Sequence, residues 1–198
     1  DYRMNYNSGV VHFSRYFGGL SLTNVKVERL YSVLITTSDA PSDQIDKIKQ
    51  IRSGTAIYLE DSEARSFEIS NSQFLEVTGH QAAVVYYKTS QLAQNSTSSS
   101  YVALFKQSHF QKNHGFMAGS IAIHDSLQST IQIWESKIED SLVSYSPFSD
   151  EDSQNALSQK AIVTVVPADE SNKPNLEIRD TYFLANKGSG FGGVIYIE

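Results

Sequence analysis

The chain has 198 residues, a formal charge of −6 and no cysteine. This length allows one sizeable core, and the missing cysteines exclude disulfides, thiolate metal sites and thiol nucleophiles. Acidic and basic residues are dispersed without a run of Lys or Arg, so neither nucleic acid binding nor membrane insertion is expected. No apolar run is long enough to span a bilayer.

Five segments share one pattern, in which apolar positions alternate with variable ones before a polar residue and a final apolar residue. In chain order they are residues 20–27, 67–74, 103–110, 131–138 and 176–183. A second apolar element, often opened by glycine, occurs at residues 54–59, 82–87, 119–123, 161–165 and 192–197. The intervals between copies vary because polar loops are inserted, which is typical of a β-solenoid.

The period within these segments is two, as in Ile131-Gln132-Ile133-Trp134, and it predicts strands with one buried face. Asn-Gly and Asp-Gly hairpin turns are missing, which disfavours antiparallel pairing. We therefore predict an all-β fold: a right-handed parallel β-helix, or β-solenoid, with loop insertions. Residues 1–53 are expected to form a degenerate first coil with a long insertion, and residues 54–198 the regular coils of the same single domain.

Stacked coils place equivalent residues about 4.8 Å apart, so that like residues meet along the axis. The pattern predicts an internal apolar ladder of Val27, Phe74, Phe110, Ile138 and Phe183. It also predicts a polar ladder, at the turn after the strand, of Asn24, Asn71, Gln107, Glu135 and Asp180. The first residue is not Met, and residues 192–198 read as a strand in mid-pattern, so we expect a fragment of a longer chain.

Two short motifs carry a family resemblance. Residues 110–113 and 183–186 match FxxN, and residues 192–195 match GG[AVLI][IV]. The chain in this respect resembles the polymorphic outer-membrane protein repeat and similar pectin-lyase-like surface proteins of protists. The resemblance implies a secreted or surface-displayed solenoid that serves in adhesion, in a stalk or in a coat. In such motifs we expect Asn113 and Asn186 to bond backbone groups at a bend and to tolerate left-handed geometry.

Parallel β-helices also include polysaccharide lyases and glycoside hydrolases, so catalytic signatures matter. The nearest fragments to pectic hydrolase motifs are Gly79-His80-Gln81 and Glu177-Ile178-Arg179, and neither matches. The histidines show no HExxH spacing, and only His109 and His114 lie close in sequence. We therefore predict no catalytic constellation and no cofactor. The acidic loop of Asp150, Glu151 and Asp152 could bind Ca²⁺ loosely, although it lacks the pattern of an EF-hand.

Aromatic residues at outward positions suggest contacts with a glycan or a partner. Trp134, Tyr58 and Tyr196 are expected to offer flat surfaces for sugars or for packing. Asn95-Ser96-Thr97 is an N-glycosylation acceptor, so Asn95 is expected to carry a glycan if the protein is secreted by a eukaryote.

Two hypotheses on function follow. The first is a noncatalytic structural or adhesive segment of a large extracellular or cell-surface solenoid, as part of a filament, stalk or coat. Its partners would be further coils of the same chain or identical subunits end to end, and glycans are a further option. The second hypothesis is a carbohydrate-active β-helix enzyme or a glycan-binding module.

Overall fold

The computed structural model describes residues 10–14, 17–31, 55–79, 82–89, 102–115, 118–126, 130–143, 161–167, 174–188 and 193–197. The regular elements among them are strands, and the strand pairings are parallel. The prediction of an all-β fold with parallel sheets is confirmed, and the arrangement is compatible with a β-solenoid. The described residues contain no helix of the length and apolar character that crossing a membrane requires.

The strands form three long parallel stacks, each with matched register. The first stack contains β1 (Val11–Ser14), the start of β4 (Ile57–Ser70), β6 (Val85–Thr89), β10 (Ala118–Ser126), β14 (Ala161–Pro167) and β17 (Ile195–Ile197). The second stack contains β2 (Phe17–Thr23), the end of β4, β7 (Val102–Lys106), β11 (Thr130–Trp134) and β15 (Asn175–Arg179). Strand β4 thus belongs to both stacks.

The third stack consists of short strands that follow the second stack after a single bend. It contains β3 (Lys26–Glu28), β5 (Gln73–Leu75), β8 (His109–Gln111), β12 (Lys137–Glu139) and β16 (Tyr182–Leu184). A fourth, smaller ladder pairs β9 (His114–Gly115) with β13 (Leu142–Val143) and continues through single bridges at Tyr31, Thr78 and Lys187.

Each repeat of the structure passes once through the three long stacks. We define repeat 1 as residues 11–31, repeat 2 as 57–78, repeat 3 as 82–115, repeat 4 as 118–143 and repeat 5 as 161–187. The segment predicted as a degenerate first coil contributes three strands that lie in register with repeat 2.

Alternation of side chains along each strand creates one core that the three long stacks share. In the second stack, Phe67 and Phe105 are fully buried, and their rings meet edge to face at 5.8 Å. The ring centroid of Phe67 also lies 6.3 Å from that of Tyr87 in the first stack, and the ring centroid of Phe105 lies 6.4 Å from that of Phe110 in the third stack. Burial of such rings from several strands is the main favourable term for folding.

Two glycines meet conformational needs that other residues fulfil poorly. Gly193 has a φ of 58°, in the left-handed region that glycine adopts without a Cβ penalty. A Cβ on Gly119 would lie 2.7 Å from Cδ1 of Ile162 in the next repeat. A larger residue at this point of close approach would force the Ile162 side chain to shift.

Candidate functional site

The bend between the second and third stacks is formed by the predicted polar ladder. Its five members all have positive φ, between 47° and 57°, and they are Asn24, Asn71, Gln107, Glu135 and Asp180. Left-handed backbone is unfavourable for most L-residues, and Asn and Asp tolerate it best. Along the ladder, Nε2 of Gln107 donates a hydrogen bond of 2.6 Å to Oε2 of Glu135. These side chains therefore serve the turn and the contact between repeats.

A ladder of hydroxyl groups follows directly after that bend. The N–H of each repeat donates to the hydroxyl of the next: Val25 to Ser72 (3.1 Å), Ser72 to Ser108 (3.2 Å), Ser108 to Ser136 (3.1 Å) and Ser136 to Thr181 (3.4 Å). Each hydroxyl in turn donates to the carbonyl two residues before it, as Ser136 does to Trp134 at 2.7 Å. We call these four side chains the hydroxyl ladder. It satisfies backbone groups at a bend where strand pairing is interrupted.

The asparagines of the FxxN motifs bind the backbone of the preceding repeat. Oδ1 of Asn113 accepts from the Val77 N–H at 3.1 Å, and Nδ2 donates to the Phe74 carbonyl at 3.2 Å. Asn186 makes the same two bonds to repeat 4, at 3.0 Å and 2.8 Å. The expectation that these asparagines hold the left-handed conformation is wrong. The residues that precede them, Lys112 and Ala185, have the positive φ. The asparagine side chain needs an inward direction to reach the other repeat, and the residue before it makes the bend.

The members of the predicted apolar ladder lie in register in the third stack. Phe74, Phe110 and Ile138 are fully buried, Val27 is nearly so, and Phe183 is half-buried. The rings of Phe74 and Phe110 stack with centroids 5.4 Å apart. The structure thus places the ladder inside the core, with its least buried member in repeat 5.

Charges alternate at the second left-handed position of each repeat. This outer charge ladder consists of Arg29, Glu76, Lys112 and Asp140, with Ala185 at the same position in repeat 5. Glu76 lies 3.6 Å from the Arg29 guanidinium and 3.8 Å from the Lys112 ammonium. These pairs are solvent-exposed, so each contributes at most about 1 kcal/mol.

The third stack also brings three ionisable side chains together on its outer face. Nε2 of His109 lies 2.7 Å from Oε1 of Glu139, and Nζ of Lys137 lies 2.6 Å from Oε2. The hydrogen bonds from Lys137 and then His109 lower the pKa of Glu139. A general base needs a pKa near the working pH, and the lowered pKa keeps this carboxylate ionised and weakly basic. The arrangement links repeat 3 to repeat 4.

The aromatic residues predicted as outward platforms are less available than their positions suggest. Tyr58 is only 7% exposed, which contradicts its expected role as an open platform. Its ring is stacked on Tyr86 at 5.1 Å and lies 5.0 Å from the His12 ring. The outer face of the first stack carries a second buried cluster, to which Tyr58 and Tyr86 belong. Tyr196 is half-buried on the same face, opposite Thr164.

Trp134 lies on the outer face of the second stack and is half-buried. The Arg179 guanidinium carbon lies 5.0 Å from its ring centroid, and Arg179 also pairs with Glu177 at 3.2 Å. Nε2 of Gln132 donates to the same Glu177 oxygen at 3.2 Å. The Trp134 Nε1 atom is buried and donates no hydrogen bond within the described structure. A flat ring, an amide and an ion pair thus lie side by side on this face.

Other predicted sites lie outside the described residues. These are the glycosylation acceptor Asn95 and the acidic loop of Asp150, Glu151 and Asp152. Among the residues that the structure does describe, no group of three His, Asp or Glu side chains could hold a metal ion.

Comparisons of the chain with family models, curated proteins and solved structures found no match. The resemblance to the polymorphic outer-membrane protein repeat therefore stays a prediction that rests on the motifs at residues 110–113, 183–186 and 192–195.

Proposed function

We propose that the chain is a noncatalytic structural segment, built as a right-handed parallel β-helix and used as a rigid spacer or adhesive stalk. The matched register of three stacks around one core supports a closed coil. Right-handed crossovers between parallel strands are strongly preferred in general, which supports the hand. The extracellular or cell-surface location that we propose rests on the motif resemblance alone.

The hydroxyl ladder is the observation that carries this proposal. Its side chains would be natural candidates for nucleophiles or ligands, yet Ser72, Ser108 and Ser136 are nearly fully buried and bonded to backbone on both sides. The Asn113 amide is buried and bonded in the same way. Polar groups that are committed to joining repeats stabilise an extended stack and are not available for chemistry.

Deletion of one whole repeat tests this proposal. Removal of residues 103–130 joins Val102 to Ile131, which occupies the register position of Ala103. A solenoid tolerates this deletion, because each repeat contacts only its neighbours. We expect a folded protein with unchanged β-sheet circular dichroism and lower stability. Its maximum dimension in small-angle scattering should be shorter by about 4.8 Å, the spacing of one repeat.

The matched control carries the same deletion together with Ile133→Asp, which places a carboxylate at a fully buried inward position of the strand. A buried charge without a partner is costly, so this variant should unfold or aggregate. Equal behaviour of the two deletion variants, or cleavage of a polysaccharide by the intact chain, would contradict a modular structural role.

The group around Trp134 favours glycan binding as the second candidate function. Aromatic rings beside amide and charged groups suit the apolar face and hydroxyls of a sugar. Arg179 covers one side of the ring, so a sugar would need the other side or displacement of the guanidinium. Screening oligosaccharides against the intact chain and a Trp134→Ala variant tests this candidate. Binding that survives the substitution would place the sugar elsewhere.

A further inference from the structure

The end of the stack at repeat 5 differs from the interior in both apolar exposure and hydrogen bonding. Two apolar side chains at inward register positions are exposed there, Ile178 (37%) and Ile197 (45%), whereas their counterparts in the preceding repeat, Ile133 and Val165, are fully buried. We infer that this end is a docking surface for an extended segment that brings a Ser or Thr hydroxyl to the Thr181 N–H. The inference rests on the proposed solenoid and names the chemistry of the segment that would extend the stack beyond repeat 5.

The hydroxyl ladder defines the chemistry of that partner. At every described junction, the N–H at this position in one repeat is bound by the hydroxyl of the following repeat, through to Ser136 and Thr181. Within the described structure, the Thr181 N–H has no such acceptor, although the Thr181 hydroxyl serves repeat 4. In repeat 4, the Glu135 N–H donates to the Arg179 carbonyl of repeat 5. Asp180 is the equivalent residue of repeat 5, and its N–H has no such carbonyl acceptor within the described structure. A segment that continues the stack would supply both acceptors.

A second copy of this chain does not fit this surface through its first repeat. Repeat 1 carries Val25 at the hydroxyl position, so its docking would cover the Thr181 N–H without an acceptor. A buried N–H without a partner is costly. Among the described residues the stacks also end unevenly, because β17 extends the first stack beyond β15 and β16. If β1 of a second copy paired with β17, β2 and β3 of that copy would lie one strand spacing too far from β15 and β16 to pair with them.

An extended segment with the repeat pattern fits both features. It would add one parallel strand to β15 and one to β16, which is strand addition at an open sheet edge. Its apolar positions would cover Ile178 and Phe183, as Phe110 covers Phe74 inside the stack. The partner is therefore a peptide segment of alternating apolar residues with a Ser or Thr directly after the bend.

The test uses a synthetic peptide of residues 102–115, which carries Ser108 after the bend and Phe110 in the apolar position. Its binding to the intact 198-residue chain is measured by calorimetry, with light scattering to exclude aggregates. The matched control is the same peptide with Ser108→Val, which copies the chemistry of Val25 and keeps the charge. We expect saturable binding at one peptide per chain. Binding of the control peptide should be weaker by about 10-fold or more, because it would bury the Thr181 N–H without an acceptor.

Chain variants locate the binding end. Ile178→Glu places a charge on the repeat 5 surface, and Val10→Glu places one at the exposed opposite end, where Val10 is 55% exposed. Binding should be lost in the first and kept in the second, with both checked for folding by thermal unfolding. Ile178→Ser is a milder change at the same inward position, in case Ile178→Glu fails to fold.

Four results would overturn the inference. Equal affinity of the two peptides would exclude hydroxyl recognition, and equal loss in Ile178→Glu and Val10→Glu would exclude the repeat 5 end. Concentration-dependent dimerisation that either substitution abolishes would make a second copy the occupant. Success of the one-repeat deletion together with failure of peptide binding would leave the structural role standing and remove only the docking surface.

Discussion

Replacement of Asn113 by Ala removes the amide that joins repeat 3 to repeat 2. The Asn113 side chain is completely buried and binds the Val77 N–H at 3.1 Å and the Phe74 carbonyl at 3.2 Å. Alanine supplies neither an acceptor nor a donor. The Val77 N–H, which lies just after β5, then stays buried without a partner. The Phe74 carbonyl lies within β5, whose pairing with β8 continues, so it loses one of two donors and is not stranded.

The structure sets the size of the expected effect. A stranded buried N–H costs ~1–3 kcal/mol, so we expect Asn113→Ala to lower the free energy of unfolding by about 2 kcal/mol. Asn186 makes the same pair of bonds in repeat 5, where it is half-buried. Water can replace its amide there, so Asn186→Ala should cost about 1 kcal/mol or less.

Urea denaturation of the intact chain and the two variants, followed by circular dichroism, measures this difference. Unchanged m-values would show that the denatured states are comparable. A cost for Asn113→Ala no larger than that for Asn186→Ala would refute the reasoning, because it would mean that the buried amide does not satisfy the repeat 2 backbone.

Further predictions concern the core, a histidine and a bend. Phe110→Ala should cost ~3–5 kcal/mol in urea denaturation, and Phe183→Ala about half as much because its ring is half-buried. Burial lowers the pKa of His114 below its ordinary value of 6.5. The unfolded chain therefore binds a proton first as pH falls below 6.5, stability decreases there, and His114→Gln should reduce that decrease in pH-dependent melting. Ala185→Gly should raise the melting temperature, by relieving ~1 kcal/mol of left-handed strain at a φ of 51°.

Much of the fold could be predicted because several repeats indicate the same inward or outward direction for each side-chain position. The alternation in residues 67–70, 103–106 and 131–134 assigns inward and outward positions, and the structure pairs these residues in the same register. The polar ladder after the strand was also predictable, since Asn71 and Asp180 are residues that tolerate left-handed bends.

The side-chain bonding between repeats could not be read in the same way. The position after the bend holds Val25, Ser72, Ser108, Ser136 and Thr181 in turn, so the signal of the hydroxyl ladder is present in the sequence. Its meaning depends on an N–H in another repeat, which sequence spacing does not reveal. Burial of Tyr58 likewise depends on a second apolar cluster on the outer face, which alternation within one strand does not predict.

The outer charge ladder distinguishes the native order of repeats from one in which a repeat is skipped. The core discriminates poorly between these orders, since Phe74 packs acceptably against any large apolar residue of the same pattern. Omission of one repeat would instead place Arg29 beside Lys112, or Glu76 beside Asp140, and turn attraction into repulsion. The solvated side of the bend therefore favours the native order of repeats by up to about 1 kcal/mol per pair, a small preference that the apolar ladder does not supply.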